Sequence, residues 1–398
     1  MPAEPVWRIV ILTASYLVFL YAFDFYSPRQ FDASRILYAV FLVVFFSIIL
    51  SVLIDYALFF RSIGRKVLLL HTAITVFYLF FRGKFLSGAK NHVPNRILLA
   101  GISESELSPS IREKLSRNGV IIQLSSDATI PPPPKGPVND FIIVGQFDRI
   151  DKNAMHQFLL EKLRGKPVMT LAGFFEYFFR QVAADMVDSR FFFEPTGFNR
   201  AMRRFPMAVK RIMDVILALI LFCVTSPVML VTALMIRIES PGTALFHQSR
   251  TGFHGEPFTI YKFRSMRNDA ETPGKAQWAT EDDPRITRVG RLIRKLRIDE
   301  LPQLINVIRG DMSFVGPRPE RPEFDADLKE QLPFYMFRYL VKPGITGWAQ
   351  VNYGYGASVE DALEKLKYDL YYVKNSSFLL DAEILLKTAA TVFLAKGR

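Results

Sequence analysis

A single cysteine, Cys223, stands among 398 residues, so no intrachain disulfide supports the fold. It lies in an apolar run and reads as a small core hydrophobe. No Cys and His cluster has the spacing of a zinc site. Acidic residues are in the minority: 38 Asp and Glu against 50 Lys and Arg, a formal net charge of +12. That balance favours acidic partners, either phosphates or anionic lipid. The excess cations form neither a compact basic face interleaved with aromatics nor a reading-helix motif, so nucleic acid is not expected as a partner. The G-x-G-x-x-G fingerprint is also missing. Where an α/β region opens, the turn reads GISES from Gly101, which argues against tight dinucleotide binding.

Apolar residues, by contrast, make up 50% of the chain and are unevenly spread. Residues 7–23 are just long enough to span a bilayer. No small-residue cleavage site follows, which counts against a signal peptide. Residues 35–60 span clearly. Residues 67–81 are short and contain His71, so they form a tight span or a re-entrant segment. Basic residues flank these stretches on both sides and leave the topology of the third open.

From residue 96 to 185, strand and helix patterns alternate. Strands are expected at 96–101, 119–123, 141–145 and 167–171, and helices at 108–118 and 153–164, as in a parallel doubly wound sheet. The tetraproline 131–134 stands where a fuller fold would carry another unit. Residues 190–210 form a basic, aromatic connector that either rides the membrane surface or packs on the protein. Residues 215–236 are apolar but interrupted by Ser226-Pro227. Each arm is too short to span about 30 Å of hydrocarbon alone. Either the whole run crosses with a kink, or it bends at the proline and returns; positive charge on both flanks favours a helix that enters and leaves by the same leaflet.

Beyond residue 240 the chain is soluble in character, with short strands at 244–246 and 258–263. Its centre is Asp299-Glu300, two adjacent carboxylates that follow a basic run and precede an apolar helix. Leu301, Leu304, Ile305 and Ile308 mark the buried face of that helix. Pro302 fits only its first turn, which places both acids at the helix start. These residues alone leave a solvated cap with surface arginines open as the alternative. Arg294 and Arg318, the latter in a Gly-Pro-Arg-Pro turn, are candidate phosphate clamps. So are Lys262 and Arg264, alternate residues expected on one strand face, with Gln248 and Arg250 on another. Arg291 and Arg297 suit lipid headgroups better. Two helices, 358–374 and 379–394, close the chain; the last suits core packing more than bilayer contact.

Six segments occur in a fixed order: VKRIMD from Val209, the Ser-Pro-interrupted run, SPGTALFHQSRTGFHGEPFTIYKFRSM from Ser240, DDPRITRVGRLIRK from Asp282, IDELPQLINVIRGDMSFVGPRP from Ile298 and KPGITGWAQVNY from Lys342. This series resembles the bacterial sugar transferases, the polyprenyl-phosphate hexose-1-phosphate transferases. The membrane segments and α/β unit in front are similar to the long subgroup, which primes exopolysaccharide or O-antigen synthesis, although that form generally has four N-terminal spans. The resemblance implies an α/β membrane protein in four parts: N-terminal transmembrane helices in residues 1–85, a small, truncated Rossmann-like domain at 96–185, a linker at 186–208, and an α/β catalytic domain at 209–398 anchored by a re-entrant helix hairpin at 211–238. It implies that Asp299 is a nucleophile toward the β-phosphorus of a UDP-sugar, releasing UMP, and that the sugar phosphate then passes to undecaprenyl phosphate. Glu300 would help hold Mg²⁺. The protein would sit in the bacterial inner membrane with its catalytic domain in the cytoplasm, with the α/β domain as a possible homodimer surface. An idle membrane scaffold is disfavoured because the acid pair is intact, and an enzyme modifying nucleotide sugars through the α/β unit because the glycine fingerprint is missing. No residue selects the sugar.

Overall fold

The computed structural model describes residues 96–101, 107–117, 120–125, 141–145, 150–185, 204–267, 283–354, 356 and 358–393, with Thr13, Ala73, Phe77, Phe191 and Phe198. The three N-terminal apolar stretches lie outside these residues. The chain divides into two compact units, 1–94 and 95–398.

The second unit opens with β1 (Arg96–Ala100), α1 (Pro109–Arg117), β2 (Ile121–Ser125), β3 (Phe141–Val144), α2 (Lys152–Leu163) and β4 (Val168–Thr170). The strands form one parallel sheet in the order β2-β1-β3-β4, the arrangement that alternating strand and helix predicts. Ile97, Leu98, Leu99, Ile142, Ile143 and Val144 are all buried. Central parallel strands are covered on both faces and so read as unbroken apolar runs. After α3 (Leu171–Phe174), a π-helical turn at Phe175–Phe179 ends at Arg180 in the left-handed conformation. The chain then enters the larger core, where Val182 and Ala184 are buried. In the connector, Phe198 is buried in that same core and stacks edge-on with Phe337, so here the connector packs on its own protein.

Next comes α4 (Arg204–Glu239), 36 residues long with Pro227 inside it. Residues Met207–Glu239 have a mean hydropathy of 2.6 over their most apolar window, of which 11% is buried within the protein. This is a helix long and apolar enough for a membrane. At Ser226-Pro227 the backbone does not open into two separate helices: α4 continues through the proline. Proline has no N–H for the carbonyl four residues back, that of Cys223. The Ser226 hydroxyl donates to that carbonyl at 2.9 Å instead, and Thr225 donates to the Leu221 carbonyl at 2.7 Å. Side-chain bonds of this kind re-satisfy a carbonyl that a proline frees, and they often bend a helix. Cys223 is exposed, which corrects its reading as a core residue: it sits on the apolar middle of α4, beside exposed Val224 and Val228.

The rest of the unit runs β5 (Leu245–Thr251), β6 (Pro257–Phe263), α5 (Arg288–Lys295), a 3-10 turn at Ile298–Glu300, α6 (Gln303–Arg309), β7 (Ser313–Val315), α7 (Pro322–Gln331), β8 (Gly344–Thr346), α8 (Trp348–Asn352), α9 (Val359–Asn375) and α10 (Phe378–Phe393). β5 and β6 form an antiparallel hairpin and β7 and β8 a short parallel pair. Leu366, Leu370, Tyr372 and Val373 of α9 are buried against Leu304 and Val307 of α6, Phe314 of β7 and Leu380 and Ile384 of α10. The last helix is thus a core element. Ser358 and Asp361 form a capping box that starts α9.

Both ends of α4 are tied to this unit. Near its start, the Arg211 guanidinium donates to the Val307 and Ile308 carbonyls at the end of α6, and Lys210 pairs with Asp381 at 2.5 Å. At its other end, the Glu239 carboxylate accepts from the backbone N–H groups of Arg288 and Val289 at 2.8 and 3.1 Å, capping α5. The apolar helix therefore braces the two helices that flank the acid pair.

Candidate active site

Asp299 and Glu300 lie in the tight turn between α5 and α6. Arg297 precedes them in the left-handed region, with φ 58° and ψ 17°, a conformation that costs a non-glycine residue on the order of 1 kcal/mol. Pro302 follows at the cap of α6, so the sequence reading of the helix start holds with the acids one turn earlier. Asp299 is buried, at 9% exposure.

Glu300 is gripped by cations from three directions. Its Oε1 accepts from Arg318 Nη2 at 2.7 Å and from Lys262 Nζ at 3.3 Å, and its Oε2 lies 3.7 Å from Arg297 Nη1. Burial alone would raise the Glu300 carboxyl, but Arg318, Lys262 and Arg297 outweigh it and hold the group well below the usual carboxylate range. Asp299 goes the other way. Burial, reinforced by the Glu300 charge, pushes it up to about 6, with Lys262, Arg294 and Arg318 pulling against the shift. Burial lowers Lys262 to about 8, despite the Glu300 charge that favours its protonated form. The pair thus divides into one acid fixed as an anion and one whose proton is easily exchanged near neutrality, a separation that recurs in catalytic carboxylate pairs.

The supporting framework explains how these groups meet. Lys262 stands on β6 opposite Phe246 of β5, and Gln248 and Arg250 lie opposite Ile260 and Phe258. In an antiparallel pair opposed residues share a face, so Gln248, Arg250 and Lys262 project together. Arg250 donates to Gln248 Oε1 at 2.7 Å and to the Pro319 carbonyl at 3.4 Å, which sets it beside the Arg318 turn. Arg294, half-buried on α5, bears on Asp299 through its charge. Arg264 is placed differently: it is buried, and its guanidinium donates to the Pro241 and Ser240 carbonyls at 2.8 Å each. Those bonds secure the chain as it leaves α4, and they correct the expectation that Arg264 lines the site beside Lys262. The Arg264 N–H still bonds to the Ala244 carbonyl at 2.9 Å, so it is the side chain, drawn to the Ser240-Pro241 turn, that leaves the site.

Some contributors carry no motif. Asn306 is fully buried on α6; its Nδ2 donates to the Thr259 carbonyl at 2.7 Å and its Oδ1 accepts from the Tyr261 N–H at 3.1 Å, locking α6 to the Lys262 strand. Arg338 is buried and donates to the Arg318 carbonyl at 2.8 Å, to Asp369 Oδ2 at 2.9 Å and to the Tyr335 hydroxyl at 2.6 Å. It holds the backbone of Arg318 while the side chain of that residue faces Glu300. An asparagine amid apolar helix positions was the one available sign of the first; nothing in the sequence marks the second.

Glycines shape the Arg318 turn. The Gly316 N–H donates to the Thr346 carbonyl at 2.9 Å and the Gly344 N–H to the Pro317 carbonyl at 3.0 Å. A Cβ on Gly344 would fall 2.1 Å from the Gly316 nitrogen, and one on Gly347 2.2 Å from the Gly316 oxygen. Backbones this close admit only glycine.

Residues 205–395 match the model of a family described as bacterial sugar transferase. Over 189 residues the chain is 50% identical to a UDP-N-acetylgalactosamine-undecaprenyl-phosphate N-acetylgalactosaminephosphotransferase of Aeromonas hydrophila, covering 48% of this chain and 44% of that protein. An uncharacterized sugar transferase of Bacillus subtilis, EpsL, is 44% identical over 195 residues, which cover 48% of this chain and 90% of that protein. A UDP-glucose:undecaprenyl-phosphate glucose-1-phosphate transferase of Escherichia coli is 41% identical over 206 residues, covering 51% of this chain and 42% of the relative. The matched segment thus spans under half the length of the first and third of these relatives.

Proposed function

Because this chain belongs to the bacterial sugar transferase family, we propose that it transfers a sugar 1-phosphate from a UDP-sugar to undecaprenyl phosphate, through a covalent intermediate on Asp299. The observation that carries this reading is the buried Asp299 carboxyl beside a Glu300 already paired with Lys262 and Arg318. In the first half-reaction an Asp299 carboxylate oxygen bonds to the β-phosphorus of the donor. The bond from that phosphorus to the bridging oxygen breaks, and UMP leaves with the electron pair. In the second, a phosphate oxygen of the lipid attacks the same phosphorus, Asp299 departs as carboxylate, and the lipid diphosphate sugar is released. Dividing the transfer lets a soluble donor and a membrane-bound acceptor use one site in turn.

Phosphoryl transfer asks the protein mainly to position groups and neutralise charge. Lys262, Arg294, Arg318, Gln248 and Arg250 perform this task here. Arg318 keeps 38% of its side chain exposed, so its planar donors can turn from Glu300 to a phosphate. Lys262, lowered by burial to about 8, is still mostly protonated at neutral pH. Asp299, raised to about 6, is mostly ionised there and retains more basicity than a free aspartate.

The donor set also fits a magnesium ion. Both Glu300 Oε2, beyond hydrogen-bond reach of Arg297, and the Asp299 carboxylate are hard oxygen donors. Among the described residues no group of three or more His, Cys, Asp and Glu converges. Mg²⁺ takes one or two carboxylates and completes its shell with phosphate oxygens and water. When bound, it would offset charge on the donor diphosphate; Glu300 would hold it.

Helix α4 sets the site at the height of the acceptor phosphate. At 36 residues its path is about 54 Å, enough to enter one leaflet of a hydrocarbon core of about 30 Å and return. Exposed Ile216, Leu219, Ile220, Val224, Leu230, Val231 and Leu234 give it an apolar surface for lipid. Both of its ends hold the same folded unit, which supports both flanks lying on one side of the bilayer, the cytoplasmic side of a bacterial inner membrane, where UDP-sugars are made. Radiolabelled UDP-sugars incubated with undecaprenyl phosphate test the proposal: wild type is expected to release UMP and form labelled lipid, and Asp299→Asn to do neither.

A further inference from the structure

The matched family segment begins at residue 205, yet part of the framework around the acid pair comes from before it. Arg180, where the α/β unit ends, sits in the left-handed conformation at φ 53° and ψ 46°. Its guanidinium lies over the Trp348 ring at 4.4 Å from the centroid and near the Tyr371 ring at 5.5 Å. Its Nη1 donates to both carboxylate oxygens of Glu383 at 2.9 and 2.8 Å, and its Nε donates to the Tyr371 hydroxyl at 3.1 Å. Its backbone carbonyl accepts from Trp348 Nε1 at 3.0 Å. Trp348 is 2% exposed, so Arg180 grips both the polar edge and the face of a fully enclosed ring.

Trp348 directly follows Gly347, whose backbone presses on Gly316, and Gly316 opens the turn that carries Arg318. The path from Arg180 to the acid pair is short and made of rigid contacts: stacked guanidinium, enclosed indole, touching glycine backbones, then Arg318 on Glu300 at 2.7 Å. We infer that Arg180 is a positioning residue for Arg318: a strap from the α/β unit that holds the Arg318 turn through Trp348. This rests on the role of Arg318 in the proposed transfer. A second strap contact, Glu176 with Lys374 at 2.8 Å, joins the same segments without touching Trp348. It serves as the control for an effect of merely loosening the strap.

Hydrogen exchange on the full-length protein tests this independently of turnover. In Arg180→Ala, the Gly316 and Gly344 amides, which bond to the Thr346 and Pro317 carbonyls, are expected to exchange tenfold faster or more. Glu176→Gln should leave them unchanged, and both variants should leave the β1 and β3 amides unchanged. Arg180→Lys keeps a charge near Glu383 but loses the planar stack, and reads the same way if the alanine variant is not recovered. Unchanged Gly316 and Gly344 exchange in the Arg180 variants, or equal acceleration by Glu176→Gln, overturns the assignment. A double-mutant cycle on UMP release gives the second arm. Arg180→Ala with Arg318→Lys should depart from the product of the single effects by fivefold or more, and Glu176→Gln with Arg318→Lys should not; agreement within twofold for both pairs counts against it. If wild type turned over no UDP-sugar, the transferase reading would fail while the exchange measurement still decided the role of Arg180.

Discussion

Arg318 reaches Glu300 at 2.7 Å while its own carbonyl is held by Arg338 at 2.8 Å. The side chain can therefore trade partners without the backbone moving, as a clamp for a phosphate must. Arg318→Lys keeps the charge but loses the planar fork. Loss of one charge-assisted bond, about 1.5–3 kcal/mol, corresponds to a fall in kcat/KM of about 10–160-fold. Steady-state UMP release across donor concentrations measures it.

The raised Asp299 carboxyl makes opposite demands on activity and stability. As a nucleophile it must be ionised, so the rate should climb with pH through about 6. For stability the sign reverses. A folded-state pKa raised from 3.8 to about 6 favours the protonated form in the folded chain. Its stabilising effect is full below pH 3.8 and lost as the pH passes 6. Burying the charge above that pH costs at most about 3 kcal/mol. Asp299→Asn should accordingly melt higher than wild type at pH 8, and the gain should shrink toward pH 4. Thermal melts at the two pH values check this.

Gly347→Ala brings a Cβ to 2.2 Å from the Gly316 carbonyl oxygen, so one of the two backbones must shift. A cost of about 1–3 kcal/mol is expected from overpacking, with displacement of the Arg318 turn. Activity should fall more than the melting temperature suggests. A variant that is as stable as wild type and fully active would show that the turn tolerates movement.

Helix α4 gives a topological prediction. Its only cysteine, Cys223, is exposed on the apolar middle, so in intact membranes it should resist a water-soluble maleimide and label once the bilayer is dissolved. In a Cys223→Ser chain, Ala208→Cys and Thr243→Cys, on exposed positions at the two flanks, should label from the same membrane face. Labelling from opposite faces would mean that α4 crosses the bilayer.

Much of this arrangement was legible in the sequence, for identifiable reasons. Alternating strand and helix patterns announced the parallel sheet, because buried strands carry unbroken apolar runs such as Ile97-Leu98-Leu99. Asp299, Glu300, Lys262 and Arg318 come together because Pro302 fixes the helix start and Gly316 forces the Pro-Arg-Pro turn close to β8. Arg264 misled because its guanidinium is taken by the Pro241 and Ser240 carbonyls, which only folding brings near. At Ser226-Pro227 the sequence shows the proline but not that the Ser226 hydroxyl takes the carbonyl of Cys223, so that the helix continues. Arg338, Arg211 and Glu239 were invisible because each acts on backbone groups brought near only by folding.

The central claim is a transient bond from Asp299 to phosphorus, and trapping it tests the claim most directly. Wild-type protein, given a UDP-sugar without lipid acceptor, would be quenched in acid, digested and analysed by mass spectrometry. A sugar-phosphate adduct on the peptide containing Asp299, absent in Asp299→Asn, is the predicted result. An adduct on another residue, or UMP release at the wild-type rate by folded Asp299→Asn, would contradict it.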